Sequence, residues 1–270
     1  MAIDPTELAR RIRRHAVRMT HRARSAHVGT ALSAADLLAV LYGRWLRLNP
    51  SDPQWPARDR FILSKGHGCA ALYAALAERG FFPLDWLDGF YSDDSRLIGH
   101  AAASVPGVEV STGALGHGLA VACGMALSAK RDRASYRVVA MLSDGECDEG
   151  STWEAVLFAP HHGLDNLTVV VDYNRIQSLG DVKDVLDLEP FAEKWTSFGW
   201  SVRAIDGHDL VEIENAFQAL PFTARRPSCI LAHTVKGKGV SFMENELLWH
   251  YRSPNDEELG LALSELDGRR

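Results

Sequence analysis

The sequence predicts an α/β protein built on a mostly parallel sheet flanked by helices. Three observations carry this. Two runs, YRVVAMLS (136–143) and LTVVVDY (167–173), are almost wholly apolar, the pattern of strands covered on both faces. Helical stretches stand before, between and after them, and strands alternating with helices imply parallel pairing. Asp144-Gly145 follows the first run and Asn174 ends the second, and ligands of open parallel sheets bind at such carboxyl ends.

In chain order, residues 5–24 read as a helix with Leu8, Ile12, Val17 and Met19 inward and Arg10, Arg11, Arg13 and Arg14 as its solvated face. Residues 33–46 read as a second helix, with Ser33 as N-cap and Asp36 three positions on. RFILSKGHG (60–68) reads as a short strand entering a glycine turn, and 69–80 as a helix stopped by Gly80. The stretch 81–112 is loop-rich, and 116–131 is an alanine-rich helix. The strand 136–143, a helix over 152–162 and the strand 167–173 come next. GWSVRAID (199–206), a helix through 209–220 and SCILAHTV (228–235) continue the alternation. No repeat or linker divides the chain, so residues 1–270 read as one domain with a mobile tail after about 240.

With 270 residues and 46% hydrophobic content, the chain can bury a substantial core. Its net charge of −6 argues against nucleic acid or an anionic membrane as a partner. No run approaches the roughly 18 apolar residues of a membrane span, and the amino terminus lacks a signal-peptide core. Cys69, Cys123, Cys147 and Cys229 show neither CxxC pairing nor zinc spacing, which suggests reduced thiols in a cytoplasmic protein.

The chemistry concentrates at the two strand ends. The side-chain oxygens of Asp144 and Asn174, with a backbone carbonyl such as that of Ile176, offer three positions around a hard cation. Mg²⁺ takes oxygen ligands and commonly completes its shell with phosphate and water. Gly145, lacking a Cβ, lets backbone approach a phosphate closely, and a helix starting near Ser151 would turn its amino end toward the anion. Either residue by itself reads more readily as a turn or a cap, and only together do the two make the site an equal reading. The pair needs support from elsewhere in the chain.

That support is a resemblance. SAHVGTALSAADLLAVLY (25–42), LSKGHG (63–68), GHAAASVPGVEVSTGALGHGLAVACGMAL (99–127), SDGECDEGSTWEA (143–155), DNLTVVVDYNRI (165–176) and TVKGKGVSFMEN (234–245), followed by Trp249-His250, occur in one order. Together they resemble the amino-terminal, thiamine-diphosphate-binding domain of transketolases over nearly the whole chain. Ser143, Ala114 and His117 stand where that family often has glycine, proline and glutamine.

The resemblance implies thiamine diphosphate and Mg²⁺, with Ca²⁺ or Mn²⁺ as substitutes, held by metal ligands Asp144, Asn174 and Ile176. It implies cofactor contacts from His67, Gly113, Ala114, Leu115, Gly145, Glu146, Asn174, Lys236 and His250. His27 and His100 would contact donor hydroxyls, and His67 and His250 would lie between diphosphate and substrate. Imidazole suits both orientation and proton movement near neutral pH. Glu149 and Glu154 would lie at a contact between two active sites. Of the other histidines, His21, His161 and His162 read as structural, His208 as a turn or cap residue, and His15 and His233 stay unassigned.

Intact transketolases are longer, and the resemblance does not extend to their pyrimidine-binding domain, which carries the glutamate that activates the cofactor. The implied protein is the first subunit of a split transketolase, inactive alone and paired with a second polypeptide, two copies of each chain together. It would move a two-carbon ketol unit between sugars or sugar phosphates. Two alternatives stay open: half of another thiamine-diphosphate enzyme, of deoxyxylulose-phosphate-synthase or dehydrogenase type, and a non-catalytic assembly module.

Overall fold

A computed structural model describes residues 3–268. Its centre is a five-stranded parallel sheet of β1 (Arg60–Leu63), β2 (Val138–Ser143), β3 (Leu167–Tyr173), β6 (Ser201–Asp206) and β7 (Ser228–His233), in the order β1-β2-β3-β7-β6. A two-stranded hairpin of β4 (Ile176–Gln177) and β5 (Gly180–Asp181) follows β3. Alternate residues of the sheet enter opposite cores. Val139, Met141 and Val170 pack on one face, and Val138, Ala140, Leu142, Val169 and Val171 on the other. Double coverage is why these strands read as unbroken apolar runs.

Helices α1 (Pro5–Ala23), α3 (Ala35–Val40), α4 (Cys69–Glu78) and α9 (Leu210–Gln218) feed the first core, joined by Ala31 of α2 (Val28–Ser33). The second core takes α5 (Gly118–Arg131), α6 (Gly150–His161) and α8 (Phe191–Ser197), with Val182 of the short α7 (Val182–Val185). Leu8 and Ile12 of α1 are fully buried, each contributing roughly 1.5–3 kcal/mol. Asp4 caps α1 through the Glu7 amide, and Gly80 adopts a left-handed φ of 83° just past α4.

Three expectations change. Arg13 is not on the solvated face: it is buried and forms a two-pronged pair with Asp36 at 2.6 and 3.0 Å. Ser33 is not an N-cap but the last residue of α2, and its hydroxyl donates to Asp172 at 2.6 Å. The expected 33–46 helix is accordingly divided into α2, α3 and a wider turn at Leu41–Trp45. The segment after 240 is not a loose tail. Val240, Met243, Trp249 and Ala262 of α10 (Asp256–Leu266) form a third core with Val17, Val28 and Leu32. A capping box of Asn255 and Glu258 starts α10.

Candidate functional site

The parallel register brings four loops together. Leu63 of β1 pairs with Met141, Ser143 of β2 with Asp172, and Tyr173 of β3 with His233 of β7. The segments that follow these strands therefore leave the sheet side by side, and they carry His67, Asp144, Asn174 and Lys236. Together with α2 and the 100–115 loop they enclose a cavity of about 240 Å³.

Asp144, Gly145, Asn174, Ile176, Lys236 and Leu115 line one part of it. Asp144 is buried, accepting from the amides of Gly145 at 2.8 Å and Arg175 at 2.6 Å. Burial, then the neighbouring Asp172, pushes its carboxyl up to about 6. Asn174 Oδ1 accepts from the Ile176 amide at 3.1 Å. Between them Arg175 takes a left-handed φ of 67°, and its guanidinium leaves the cavity to lie 5.4 Å from the Tyr173 ring centre. This reversal sets Asn174 and Ile176 in the same wall.

Lys236 is almost fully buried. Its ammonium donates to the Ile176 carbonyl at 2.7 Å and meets His250 Nδ1 at 3.0 Å. An ammonium only donates, so Nδ1 is the acceptor and the His250 proton sits on Nε2. Burial draws the lysine down to about 8, with Asp144 acting in the opposite direction.

His27, His67, His100 and His250 form the other part of the lining. The His27 ring lies 5.1 Å from that of His67, 5.0 Å from His250 and 6.1 Å from His100, centre to centre. Burial, then His100 and Lys236, lowers His27 to about 4, and burial, then Lys236, lowers His250 to about 3. Burial and then Lys65 hold His67 well below its ordinary value. These three imidazoles are neutral near pH 7, each with one donor and one acceptor nitrogen. His27 itself has a left-handed φ of 75°, and its amide donates to the His250 carbonyl at 3.0 Å.

Beneath the cavity, Asp172 ties the parts together. It pairs with the buried Lys65 and accepts from Ser33 and Thr234, so α2 and the loops after β1 and β7 share one carboxylate. Lys65 also donates to Thr30 Oγ1 at 2.7 Å. Burial opposes the charge on Asp172, but Lys65 and these hydroxyls hold its carboxyl below the usual range.

Two expected cofactor residues fall outside the lining. Ala114 is exposed. Glu146 is buried behind the wall, accepting from Ser64 and from the Gly116 amide at 2.9 Å, while its Oε2 has no partner. Gly113 lines the cavity, and a Cβ there would stand 3.3 Å from the His100 ring. At Gly145 a Cβ would approach Gln177 Cβ to 2.9 Å, so the close approach is made to the hairpin. Helix α6 begins at Gly150 and rests on the 113–118 loop, where Ser151 Oγ donates to the Gly116 carbonyl at 3.1 Å. Gly145, at the start of the turn Gly145–Asp148, and not that helix contributes to the cavity wall.

The departures have local uses: Ser143 Oγ accepts from the Glu146 amide at 3.2 Å, and exposed His117 lies 3.3 Å from the Ala114 carbonyl. Thr30, Gln177 and Ser178 also line the cavity and were not anticipated. Only Thr30 carries a signal, standing one helical turn after His27. His15 pairs with Glu78 at 2.9 Å and His21 with the Pro254 carbonyl at 2.9 Å. Beyond Asn174–Ile176 lies a second, wider groove of about 1180 Å³, reaching Arg175, Glu189, His208, His233 and Lys238.

The donor set of Asp144, Asn174 and the Ile176 carbonyl is all oxygen, which fits a hard divalent cation. Lys236 beside it uses two of its N–H bonds within the chain. The fold and cavity thus define an α/β protein with a polar, ligand-sized cavity at the carboxyl ends of parallel strands. Residues 5–263 match the family described as transketolase, thiamine diphosphate binding domain, and the chain belongs to that family.

Among curated relatives, an apulose-4-phosphate transketolase subunit of Phocaeicola vulgatus is 39% identical over 270 residues, covering 100% of this chain and 96% of its own. A 6-deoxy-6-sulfo-D-fructose transketolase subunit of a Clostridium species is 42% identical over 242 residues, covering 89% of this chain and 88% of its own. The solved transketolase of Campylobacter jejuni matches 99% of this chain with a TM-score of 0.92 at 31% identity, and the chain spans 43% of that protein. Among the described residues, no helix is long and apolar enough to cross a membrane.

Proposed function

We propose that this chain is the amino-terminal subunit of a two-chain transketolase, a single diphosphate-binding domain acting in the cytoplasm. With a second subunit carrying the pyrimidine-binding domain, it moves a two-carbon ketol unit from a ketose or ketose phosphate to an aldose or aldose phosphate. The observation that carries this reading is the single cavity in which histidines face an acid, an amide and a lysine. Relatives named as transketolase subunits match over nearly their full length, which supports the two-chain form.

Thiamine diphosphate, when bound, supplies the electron sink for cleavage next to a carbonyl. Asp144, Asn174 and the Ile176 carbonyl would hold Mg²⁺ against the diphosphate, with Lys236 adding positive charge. Gly113 and Leu115 would approach the cofactor through their backbone, and Gly145 lines the cavity beside Asp144. His27 and His100 would orient donor hydroxyls, while His67 and His250 would lie between the diphosphate and the substrate, where a neutral imidazole can give or take a proton. The sugars in the names of those relatives, one a phosphate and one a sulfonate, favour a donor with an anionic far end.

Glu149 and Glu154 are exposed at the start of α6, beside exposed Leu157 and Phe158. We assign this face to the contact between copies, giving two of each chain. The test is reconstitution. The chain alone transfers no ketol unit, and with its partner it does so only when Mg²⁺ and thiamine diphosphate are present. Robust transfer by the chain alone, with co-purified protein excluded by mass spectrometry, would overturn the reading.

A further inference from the structure

We infer that His208 is a positioning residue for the diphosphate end of the cavity, acting through the backbone that carries Lys236. It sits between β6 and α9 in a rigid turn. The His208 amide donates to Asp206 at 2.8 Å, and Asp209 caps α9 through the amides of Val211 and Glu212. Gly207 lets this turn lie against the end of β7, since a Cβ there would come 2.5 Å from Thr234 Cγ2.

The imidazole is used at both nitrogens. Val235 donates its amide to His208 Nε2 at 2.8 Å, so that nitrogen is the acceptor and the proton sits on Nδ1. Nδ1 faces Asp36 Oδ2 at 2.7 Å, and Asp36 is itself gripped by buried Arg13. The chain Arg13–Asp36–His208 therefore fixes one tautomer and ends on a backbone amide adjacent to Lys236.

Lys236 is held on its other flank as well. The Gly237 amide donates to the Gly29 carbonyl at 3.0 Å, and the Lys236 carbonyl accepts from the Asn245 amide at 2.8 Å. Of the anchors on this short segment, His208 is the side chain whose removal leaves the half-buried Val235 N–H without its acceptor. The expected result is a displaced segment and an ammonium no longer aimed at the cavity.

This inference rests on the reading that Lys236 faces the diphosphate, and a double-mutant cycle separates the two. The full chain is titrated with thiamine diphosphate at saturating Mg²⁺, and Tm is followed in parallel. Lys236→Ala and His208→Phe are each expected to weaken binding about tenfold. The double variant is expected to bind no more weakly than Lys236→Ala alone. His208→Gln, which presents an acceptor and a donor, restores affinity to within about threefold of wild type. His208→Asn, too short for both partners, serves if the Phe variant does not fold.

Unaltered affinity in the His208 variants beside a weakened Lys236→Ala overturns this inference alone. Multiplicative losses in the double variant do the same, because His208 would then act elsewhere. Unaltered affinity in Lys236→Ala overturns the reading of the lysine, and the inference with it.

Discussion

Lys65 and Asp172 form an ion pair with both side chains fully buried, joining the loop after β1 to strand β3 directly beneath the cavity. Removing one member leaves an uncompensated charge in the interior, which costs about 3–5 kcal/mol. Asp172→Ala is expected to destabilise by that amount in urea unfolding. A Lys65→Met/Asp172→Leu double variant is expected to lose less than either single variant. A cost under about 1 kcal/mol for Asp172→Ala would show that the pair does not hold the loops together.

Asp144 and Asn174 should separate by charge. Each supplies one oxygen toward the cation, but only Asp144 adds negative charge. Asn174→Ala is expected to weaken thiamine diphosphate binding in the presence of Mg²⁺ by about tenfold, and Asp144→Ala by more. Calorimetry on the reconstituted protein measures both, and equal affinity in wild type and the two variants removes them from the metal site.

The buried histidines give stability a pH dependence of definite sign. His27 is held down to about 4, against an ordinary value of 6.5. Above pH 6.5 neither state binds the extra proton, so nothing is lost. Below it the unfolded chain takes up the proton first, and stability falls until the folded value near 4 is reached. His27→Gln removes this contribution. Its Tm is expected to fall less than that of wild type as pH drops from about 6.5 toward 4, and parallel curves would contradict the assignment.

Gly66 lies one residue before His67, and a Cβ there would stand 2.5 Å from the Thr112 carbonyl oxygen. Backbone cannot yield as a flexible side chain does. Gly66→Ala is therefore expected to cost about 1–3 kcal/mol and to raise the donor KM by displacing His67. A fully stable variant with an unchanged KM would show that the two loops have room to separate.

The parts legible in sequence are those whose signal is local. β2 and β3 were readable because coverage on both faces leaves no polar alternation, and Asp144 and Asn174 because strand ends locate ligands. Ser33 misled because a serine three residues before an acid looks like a cap, whereas its hydroxyl is used by Asp172, far away in sequence. The segment after 240 misled because its core contacts come from scattered residues, Val240, Met243 and Trp249, with little periodicity. Lys65 gave no signal, and His208 read only as the turn or cap residue that it is and not for the contacts of its ring, for a related reason. Their partners, Asp172 and Asp36, lie 107 and 172 positions away.

The left-handed turn at Arg175 makes Asn174–Ile176 a partition one backbone thick. The small cavity opens on one side of it and the wide groove on the other, and Asn174 and Ile176 border both. Whatever settles into the groove therefore leans on Asn174 and Ile176, two of the three residues that present oxygens to the cavity. The two compartments are thus bounded by one and the same stretch of backbone, so a substitution at Asn174 or Ile176 alters the border of both.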